Sequence, residues 1–272
     1  MKNNKLTLLM LSCDAYSDLW GDFFTIKERY WKDCPFQWLL VTETKEFNRE
    51  GVSVIDCGKE LNWAGRFRKA VESVDTPYIG LFLDDYFITE EIDTALVNEL
   101  ISKMESDNIS LINMSDVFHT ILDNKKLSYY EPHLIKIPND LPYGISTASA
   151  LWDRKYLLEK IGDGDYSAWQ FEVDRYSEAK GQGYGGLLLC DDRMPFHVSE
   201  IPVVTQGKYT PASITFFKKK GITINSEGRS VMSSWEYLVF SLKLKLSKVK
   251  FGKGLLRWVG KTFFHQKYFM DA

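Results

Sequence analysis

The stretch from Tyr78 to Phe87 constrains the fold of this chain more than any other. It reads YIGLFLDDYF, an apolar run that ends abruptly in two adjacent carboxylates, Asp84 and Asp85. A continuous apolar run of this length predicts a strand covered on both faces of a mostly parallel sheet. Ligands of open α/β sheets bind just beyond such strand ends, so the pair is a candidate for holding a divalent cation and the phosphates of a nucleotide. The alternative is that one of the two caps a helix beginning near Glu90.

Strand-like and helix-like segments alternate through the first 115 residues. Apolar runs lie at 7–11, 36–41, 52–55, 78–83 and 109–114. This alternation with short connections predicts an α/β fold, in which a mostly parallel central sheet is flanked by helices. We predict one domain over 1–235, made of a nucleotide-binding half (1–115) and an acceptor half (116–235). A separate basic segment, 236–272, follows it.

Composition limits the compartment and the partners. The chain has 272 residues, of which 44% are hydrophobic, and a net charge of −3, which gives no bulk attraction for nucleic acid. Its four cysteines show no CxxC pair and no metal-ligand spacing, as expected of free thiols in a reducing compartment. The segment from Met1 to Cys13 superficially resembles a lipoprotein signal, but its apolar core is too short for one, so we interpret Lys5 to Leu11 as a strand. No apolar stretch approaches the roughly 18 residues of a membrane span, and we expect a cytoplasmic protein.

Two further predicted strands also end in carboxylates, at Asp14 and Asp56. Because strand ends at one edge of a parallel sheet converge on one crevice, we expect these residues to lie near Asp84 and Asp85. Arg66, near the start of a predicted helix, is placed to pair with a phosphate, although a solvated helix residue is the alternative. Neither a G-x-G-x-x-G nor a P-loop motif occurs, so dinucleotide and P-loop sites have no support.

Glu172 and His197 are candidates in the second half of the chain. Glu172 lies beside aromatic residues near the start of a predicted helix. A carboxylate in a partly apolar setting has a raised pKa, which suits general-base catalysis. The alternative is that it only complements the helix dipole. His197 is either a structural residue or an additional ligand of a carboxylate-bound cation.

In order and spacing, these segments resemble the nucleotide-sugar-dependent glycosyltransferases of the GT-A (Rossmann-like) fold. They are most similar to family-2-like bacterial enzymes that build capsule or lipopolysaccharide. The resemblance covers roughly 6–221 and rests on five segments: 78–87, Asn62 to Arg66 (NWAGR), Gly144 to Trp152, Trp169 to Asp174, and Gly181 to Tyr184. Two features depart from the family pattern: the Asp-Asp-Tyr order of the first segment, and Phe171-Glu172 where an acidic pair is usual.

The resemblance implies a role for each site residue. Asp85 would be the main ligand of a Mn²⁺ or Mg²⁺ ion, with Asp84 and His197 as further ligands. Glu172 would be the catalytic base, with Asp165 in reserve. The nucleotide and donor sugar would be bordered by Ser12, Cys13, Asp14, Asp56, Asn62, Trp63, Arg66 and Asp84. The acceptor would contact Thr147 and Trp169.

The resemblance also implies a reaction. The enzyme would transfer a sugar, with inversion, from a nucleotide-diphosphate donor to a saccharide acceptor. We favour UDP-sugars as donors and a lipid-linked acceptor in surface-polysaccharide synthesis. One alternative is a nucleotidyltransferase that makes nucleotide sugars. It would normally carry a glycine- and basic-rich loop after the first strand, whereas 12–20 has no glycine and no basic residue. The other is a non-catalytic carbohydrate-binding or assembly protein.

The C-terminal segment is strongly basic. From Lys243 to Lys267 there are eight Lys and Arg residues and no acid, interleaved with apolar residues. The apolar side chains able to share one helical face are Leu255, Leu256, Val259 and Phe263. This pattern predicts an amphipathic helix lying on anionic lipid, and hence a peripheral protein at the inner face of the cell membrane. The alternative is a helix docked on the domain with its lysines in solvent.

Overall fold

The computed structural model describes residues 5–115, 128–139, 141–200 and 202–248. The chain divides into two compact units, Met1–Pro202 and Val203–Ala272. The boundary predicted from the sequence lies after residue 235, so residues 203–235 belong to the same unit as the helix that follows them. The predicted basic tail from Val249 onward lies outside the described residues.

A nine-stranded sheet forms the centre of the first unit. Its strands are β1 (Leu6–Leu11), β2 (Gln37–Thr42), β3 (Val52–Asp56), β4 (Tyr78–Leu83), β5 (Ile109–Asn113), β6 (Tyr129–Glu131), β7 (Leu134–Lys136), β8 (Ala150–Asp153) and β9 (Leu187–Asp191). Their order is β3-β2-β1-β4-β8-β5-β9-β7-β6. Among these described strands only β7 and β8 run against the common direction. The predicted α/β class with a large, mostly parallel central sheet is confirmed.

Helices cover both faces of this sheet. They are α1 (Ser17–Tyr30), α2 (Trp63–Glu72), α3 (Thr94–Asp107), α4 (Arg154–Ile161) and α5 (Ala168–Ala179). On one face, Phe23 of α1 meets Trp38 and Phe82 edge to face. Leu81 points to the opposite face, because successive strand residues alternate. There it joins a buried cluster with Phe67 of α2. The flanking helices of the predicted fold are therefore present on both sides.

The second unit is built from a short hairpin and two helices. These are β10 (Val204–Thr205), β11 (Lys208–Tyr209), α6 (Pro211–Lys219) and α7 (Ser234–Lys248). α7 begins with a reciprocal cap, in which Ser233 N–H donates to Glu236 Oε2 at 2.7 Å and Glu236 N–H donates to Ser233 Oγ at 3.2 Å. None of the helices in the described ranges is both long and apolar enough to cross a membrane.

The strand registers define one edge of the sheet as the place for a site. Leu11, the last residue of β1, pairs with Val41 and with Leu83, so β1, β2 and β4 end together. β8 runs antiparallel to β4, with Ala150 opposite Leu81. The turn before β8 therefore enters the sheet at the edge where β4 leaves it.

Candidate functional site

Asp84 is anchored at this edge by Ser12. The two residues follow the paired ends of β4 and β1. Ser12 Oγ donates a hydrogen bond to the Asp84 carboxylate and accepts one from Trp20 Nε1 at 2.7 Å. Asp84 is 7% exposed, and a buried carboxylate requires such donors. Asp84 thus fixes the end of β4, and the more exposed Asp85 follows it.

The charges of Asp85 and Glu172 both affect the Tyr86 hydroxyl. Burial first, and then the nearby carboxylates of Asp85 and Glu172, raise the pKa of Tyr86. The turn that holds Glu172 through Thr147 enters the sheet where β4 ends, so the predicted cation ligand and the predicted base lie at the same sheet edge. Tyr86 has no role in the sequence-based prediction, although it belongs to the stretch that most constrains the fold.

The helix-capping alternative for the aspartate pair is wrong for the next helix. α3 begins at Thr94, and its cap is Asp93, whose carboxylate accepts the N–H groups of Ala95 at 2.8 Å and Leu96 at 3.3 Å. Neither Asp84 nor Asp85 serves that helix. The pair lies instead in the turn after β4, where the Tyr86 N–H donates to the Leu83 carbonyl at 3.4 Å.

Glu172 is held by Thr147, in the turn before β8. One carboxylate oxygen, Oε1, accepts the Thr147 N–H at 2.8 Å and the Thr147 hydroxyl at 3.0 Å. Burial raises the pKa of Glu172, and the two hydrogen bonds oppose that rise without cancelling it. Burial and the Glu172 charge also raise the pKa of Tyr143. Glu172 lies beyond the first turn of α5, where a helix dipole has little effect, so the dipole alternative does not account for it.

Gly144 fixes the course of the turn that carries Thr147. Its N–H donates to Tyr184 Oη at 3.0 Å, and the same hydroxyl donates to the Leu141 carbonyl at 2.5 Å. A Cβ atom on residue 144 would lie 2.4 Å from Cε2 of Tyr184. Only glycine permits this approach, so the first residue of the small-residue stretch has a packing cause.

Asp14 closes the loop that follows β2. Its carboxylate accepts the N–H groups of Glu43 at 3.0 Å and Lys45 at 3.1 Å, and the Thr44 hydroxyl at 2.8 Å. Partial burial alone would raise the pKa of Asp14, but these hydrogen bonds lower it to about 2. The ionised Asp14 carboxylate thus joins the loop after β1 to the loop after β2.

Glu43 is a site residue that the sequence-based prediction missed. Its Oε1 pairs with Arg66 Nη1 at 3.0 Å, and its Oε2 accepts the Asp14 N–H at 3.1 Å. Arg66 also donates to the Leu61 carbonyl at 2.9 Å and is 12% exposed in its side chain, so the solvated alternative for Arg66 is wrong. Glu43 follows β2 directly, and the strand-end signal that singled out Asp14 and Asp84 would also have found it.

The Cys13 thiol lies within reach of the same charges. Burial raises its pKa, the carboxylates of Asp84 and Glu43 add to the rise, and the guanidinium of Arg66 opposes it. Cys13 lies between Ser12, which donates to Asp84, and Asp14, whose N–H donates to Glu43. The structure brings these predicted donor-side residues together at the ends of β1, β2 and β4.

A second group of predicted residues joins α2 to the segment before α5. Asn62 caps α2 by accepting the Gly65 N–H at 2.7 Å, and its Nδ2 donates to the Asp165 carboxylate. The Trp63 ring lies 5.8 Å from the ring of Phe171, which directly precedes Glu172. In the same helix, Trp169 is 63% exposed.

Asp56 and His197 make local contacts. The Asp56 carboxylate accepts the Gly58 N–H at 2.8 Å within its own turn. His197 has a left-handed backbone, with φ of 41°, and its carbonyl accepts the N–H and the hydroxyl of Thr89 at 2.8 and 2.7 Å. Asp56 lies opposite Thr42, at the sheet edge where β2 also ends, and these contacts of His197 are made by its backbone alone.

The side chains available as metal ligands show whether the site suits a divalent cation. No group of three or more His, Cys, Asp or Glu side chains is placed to hold a metal ion within the described ranges. A Mg²⁺-type ion bound to nucleotide phosphates needs only one or two protein carboxylates. Asp85, partly exposed at the strand end, fits that requirement. Asp84 is the weaker candidate, because its buried carboxylate already accepts the Ser12 hydroxyl.

Comparison with known proteins gives no family assignment. No family model matches the sequence, and no curated protein matches it. Among solved structures, TarS 1-349 of S. aureus has 8% identity over 69% of this chain and 58% of its own, with a TM-score of 0.44. The 2-C-methyl-D-erythritol 4-phosphate cytidylyltransferase of Thermus thermophilus has 10% identity over 74% and 94%, with a TM-score of 0.39. Bifunctional IspDF of Campylobacter jejuni has 15% identity over 68% and 49%, with a TM-score of 0.37. The function proposed below is therefore drawn from this chain's own residues.

Proposed function

We propose that this protein is a glycosyltransferase that moves a sugar from a nucleotide-diphosphate donor, UDP-sugars favoured, to a saccharide acceptor. One observation supports the proposal most. Thr147 lies in the turn that enters the sheet where β4 ends before Asp85, and it holds the buried carboxylate of Glu172, so carboxylates from both halves of the unit lie at one sheet edge. A phosphate-side carboxylate and a carboxylate of raised pKa at one edge provide the two functions that sugar transfer requires.

In this proposal Glu172 takes the proton of the attacking acceptor hydroxyl. Burial makes its carboxylate a stronger base than a solvated one. The two Thr147 hydrogen bonds hold one oxygen, Oε1, and leave the other to receive the proton. The acceptor oxygen bonds to the anomeric carbon as the bond from that carbon to the diphosphate oxygen breaks. Attack from the face opposite the leaving group inverts the anomeric configuration.

The donor would lie along the ends of β1, β2 and β4. We propose that Ser12, Cys13 and Asp14 border the nucleotide, and that Arg66 faces the diphosphate. A Mn²⁺ or Mg²⁺ ion held by Asp85 and phosphate oxygens would neutralise charge on the leaving diphosphate. Asp84 supports Asp85 from its buried position.

The acceptor side would be formed by Thr147 and Trp169, since an exposed indole provides a stacking surface for a sugar ring. We further propose a lipid-linked acceptor in surface-polysaccharide synthesis, with the enzyme peripheral to the cytoplasmic membrane face. The support is the basic sequence from Lys243 to Lys267.

The donor class is tested by thermal unfolding with UDP, GDP, CMP and dTDP, each with and without Mn²⁺. We expect one nucleotide to raise the Tm in a metal-dependent way. The rise should vanish in Asp85→Ala and persist in Glu91→Ala, which removes an exposed acid of the following loop. Unchanged Tm with every nucleotide would overturn the proposal in favour of a non-catalytic protein.

The base is tested with Glu172→Gln, using the nucleotide found above. Release of nucleoside diphosphate in the presence of an acceptor panel should fall by about 100-fold or more, with nucleotide binding unchanged. Retained turnover would contradict the assignment of Glu172. Release of pyrophosphate from a nucleoside triphosphate and a sugar phosphate would instead identify a nucleotidyltransferase.

A further inference from the structure

The second unit carries a charge opposite to that of the first. Residues 203–272 contain 13 Lys and Arg against 3 Asp and Glu, a net charge of +10. Residues 1–202 contain 21 Lys and Arg residues against 34 Asp and Glu, a net charge of −13. The two units together give the net charge of −3 of the whole chain. The described part of the second unit, 203–248, contains eight Lys and Arg residues and two Glu residues. The surplus therefore exists before the segment beyond residue 248 is counted.

This basic unit also exposes apolar side chains on α7. Trp235, Leu238 and Leu242 are 71%, 48% and 50% exposed. Their spacing of three and four residues puts them along one side of the helix. Of the eight large hydrophobic residues exposed in the described ranges, five lie in 203–248: Phe216, Val231, Trp235, Leu238 and Leu242. Such a concentration indicates an interaction surface.

The charges of α7 fit an anionic partner. Its one acidic residue, Glu236, is engaged by the Ser233 cap and by an ion pair with Lys208. The last six residues of the helix, 243–248, include three lysines, and no acid follows until Asp271. An apolar side beside a lysine-rich sequence is the pattern of a helix that lies in a lipid interface.

We propose that α7 docks this protein on an anionic phospholipid surface, with Trp235, Leu238 and Leu242 entering the boundary between headgroups and acyl chains. The lysines at its C-terminal end add electrostatic attraction. This assigns the apolar contact to α7 itself, upstream of the predicted face at 255–263. It rests on the membrane location proposed above but not on glycosyl transfer, so vesicle binding and sugar transfer can fail separately.

The first test is cosedimentation of the full chain with vesicles. We expect binding to phosphatidylcholine–phosphatidylglycerol vesicles that weakens with added salt, and little binding to phosphatidylcholine alone. The variant Trp235→Ser/Leu238→Ser/Leu242→Ser should lose at least about tenfold in partition. Tyr129→Ser removes a residue 54% exposed in the first unit and should change nothing. Equal partition of the triple variant and the unaltered chain would overturn the proposal.

The second test reports insertion directly, by quenching of tryptophan fluorescence with brominated lipid. In a Trp258→Phe background, which removes the indole of the predicted face at 255–263, quenching should be lost in Trp235→Phe and kept in Trp169→Phe, which removes an exposed indole of the first unit. Quenching that survives in Trp235→Phe would contradict insertion of α7. Sedimentation equilibrium tests whether a second copy of the chain, rather than lipid, covers Trp235, Leu238 and Leu242. A dimer that the triple variant dissociates, together with no vesicle binding, would overturn lipid docking.

Discussion

Thr147 donates two hydrogen bonds to a single carboxylate oxygen of Glu172, from its N–H at 2.8 Å and its hydroxyl at 3.0 Å. The first residue precedes the antiparallel strand β8 and the second lies in α5. Burial favours the protonated acid and the two bonds favour the carboxylate, and burial prevails. The pKa of Glu172 therefore depends on each Thr147 donor.

Replacing Thr147 by Val should move the acid limb of the kcat/KM profile to higher pH. The change removes one donor that favours the carboxylate, so the pKa of Glu172 rises further. A base works only when deprotonated, and activity is then lost at a higher pH as acid is added. Thr147→Ser keeps the hydroxyl and should keep the limb in place. If the acid limb does not move in Thr147→Val, then Glu172 is not the group whose ionisation controls turnover.

The Ser12–Asp84 pair should show strong energetic coupling. Ser12→Ala leaves a buried carboxylate without its hydroxyl donor, which costs about 1–3 kcal/mol of unfolding free energy. Asp84→Asn removes the charge that needs that donor. Urea unfolding of the two single variants and the double variant measures the coupling. Additive losses would mean that the hydrogen bond contributes little and that Asp84 is supported in another way.

Asp14→Asn should destabilise the protein by about 1 kcal/mol at neutral pH, after allowance for solvent screening. Folding lowers the pKa of Asp14 from 3.8 to about 2. Its stabilisation is therefore complete above the unfolded value and is lost as pH falls through that window. Urea unfolding between pH 5 and pH 2 should show a shallower pH dependence in Asp14→Asn than in Asp75→Asn, an exposed loop control. Equal slopes would exclude Asp14 as the titrating group.

Gly144→Ala should destabilise the first unit by about 1–3 kcal/mol, because its methyl group would collide with the Tyr184 ring. Displacement of the turn should also reduce transfer through Thr147. Gly21→Ala is the matched control, since nothing lies within 4 Å of a Cβ there and alanine is the better helix residue. Thermal unfolding compares the two, and a neutral Gly144→Ala would show that the turn adjusts freely.

Local patterns in the sequence were sufficient to predict much of the first unit. The apolar run at 78–83 coincides with β4, because an unbroken apolar segment must be covered on both faces. Strand ends marked by carboxylates were predicted to converge, and Ser12, Asp14 and Asp84 do lie at one edge. The same strand-end signal extends to Glu43, which directly follows β2 and which the prediction did not include.

What the sequence by itself determined was the α/β class, the parallel strands of the first half and the carboxylates at their ends, since these depend on the order of neighbouring residues. The tertiary structure alone decided that 150–153 forms an antiparallel strand between β4 and β5. That insertion brings Thr147 and Glu172 to the edge where Asp85 lies. Strand pairing between distant segments depends on contacts across the whole sheet and not on the order of neighbouring residues. The burial that raises the pKa of Glu172 follows from the same packing, and no local spacing encodes it.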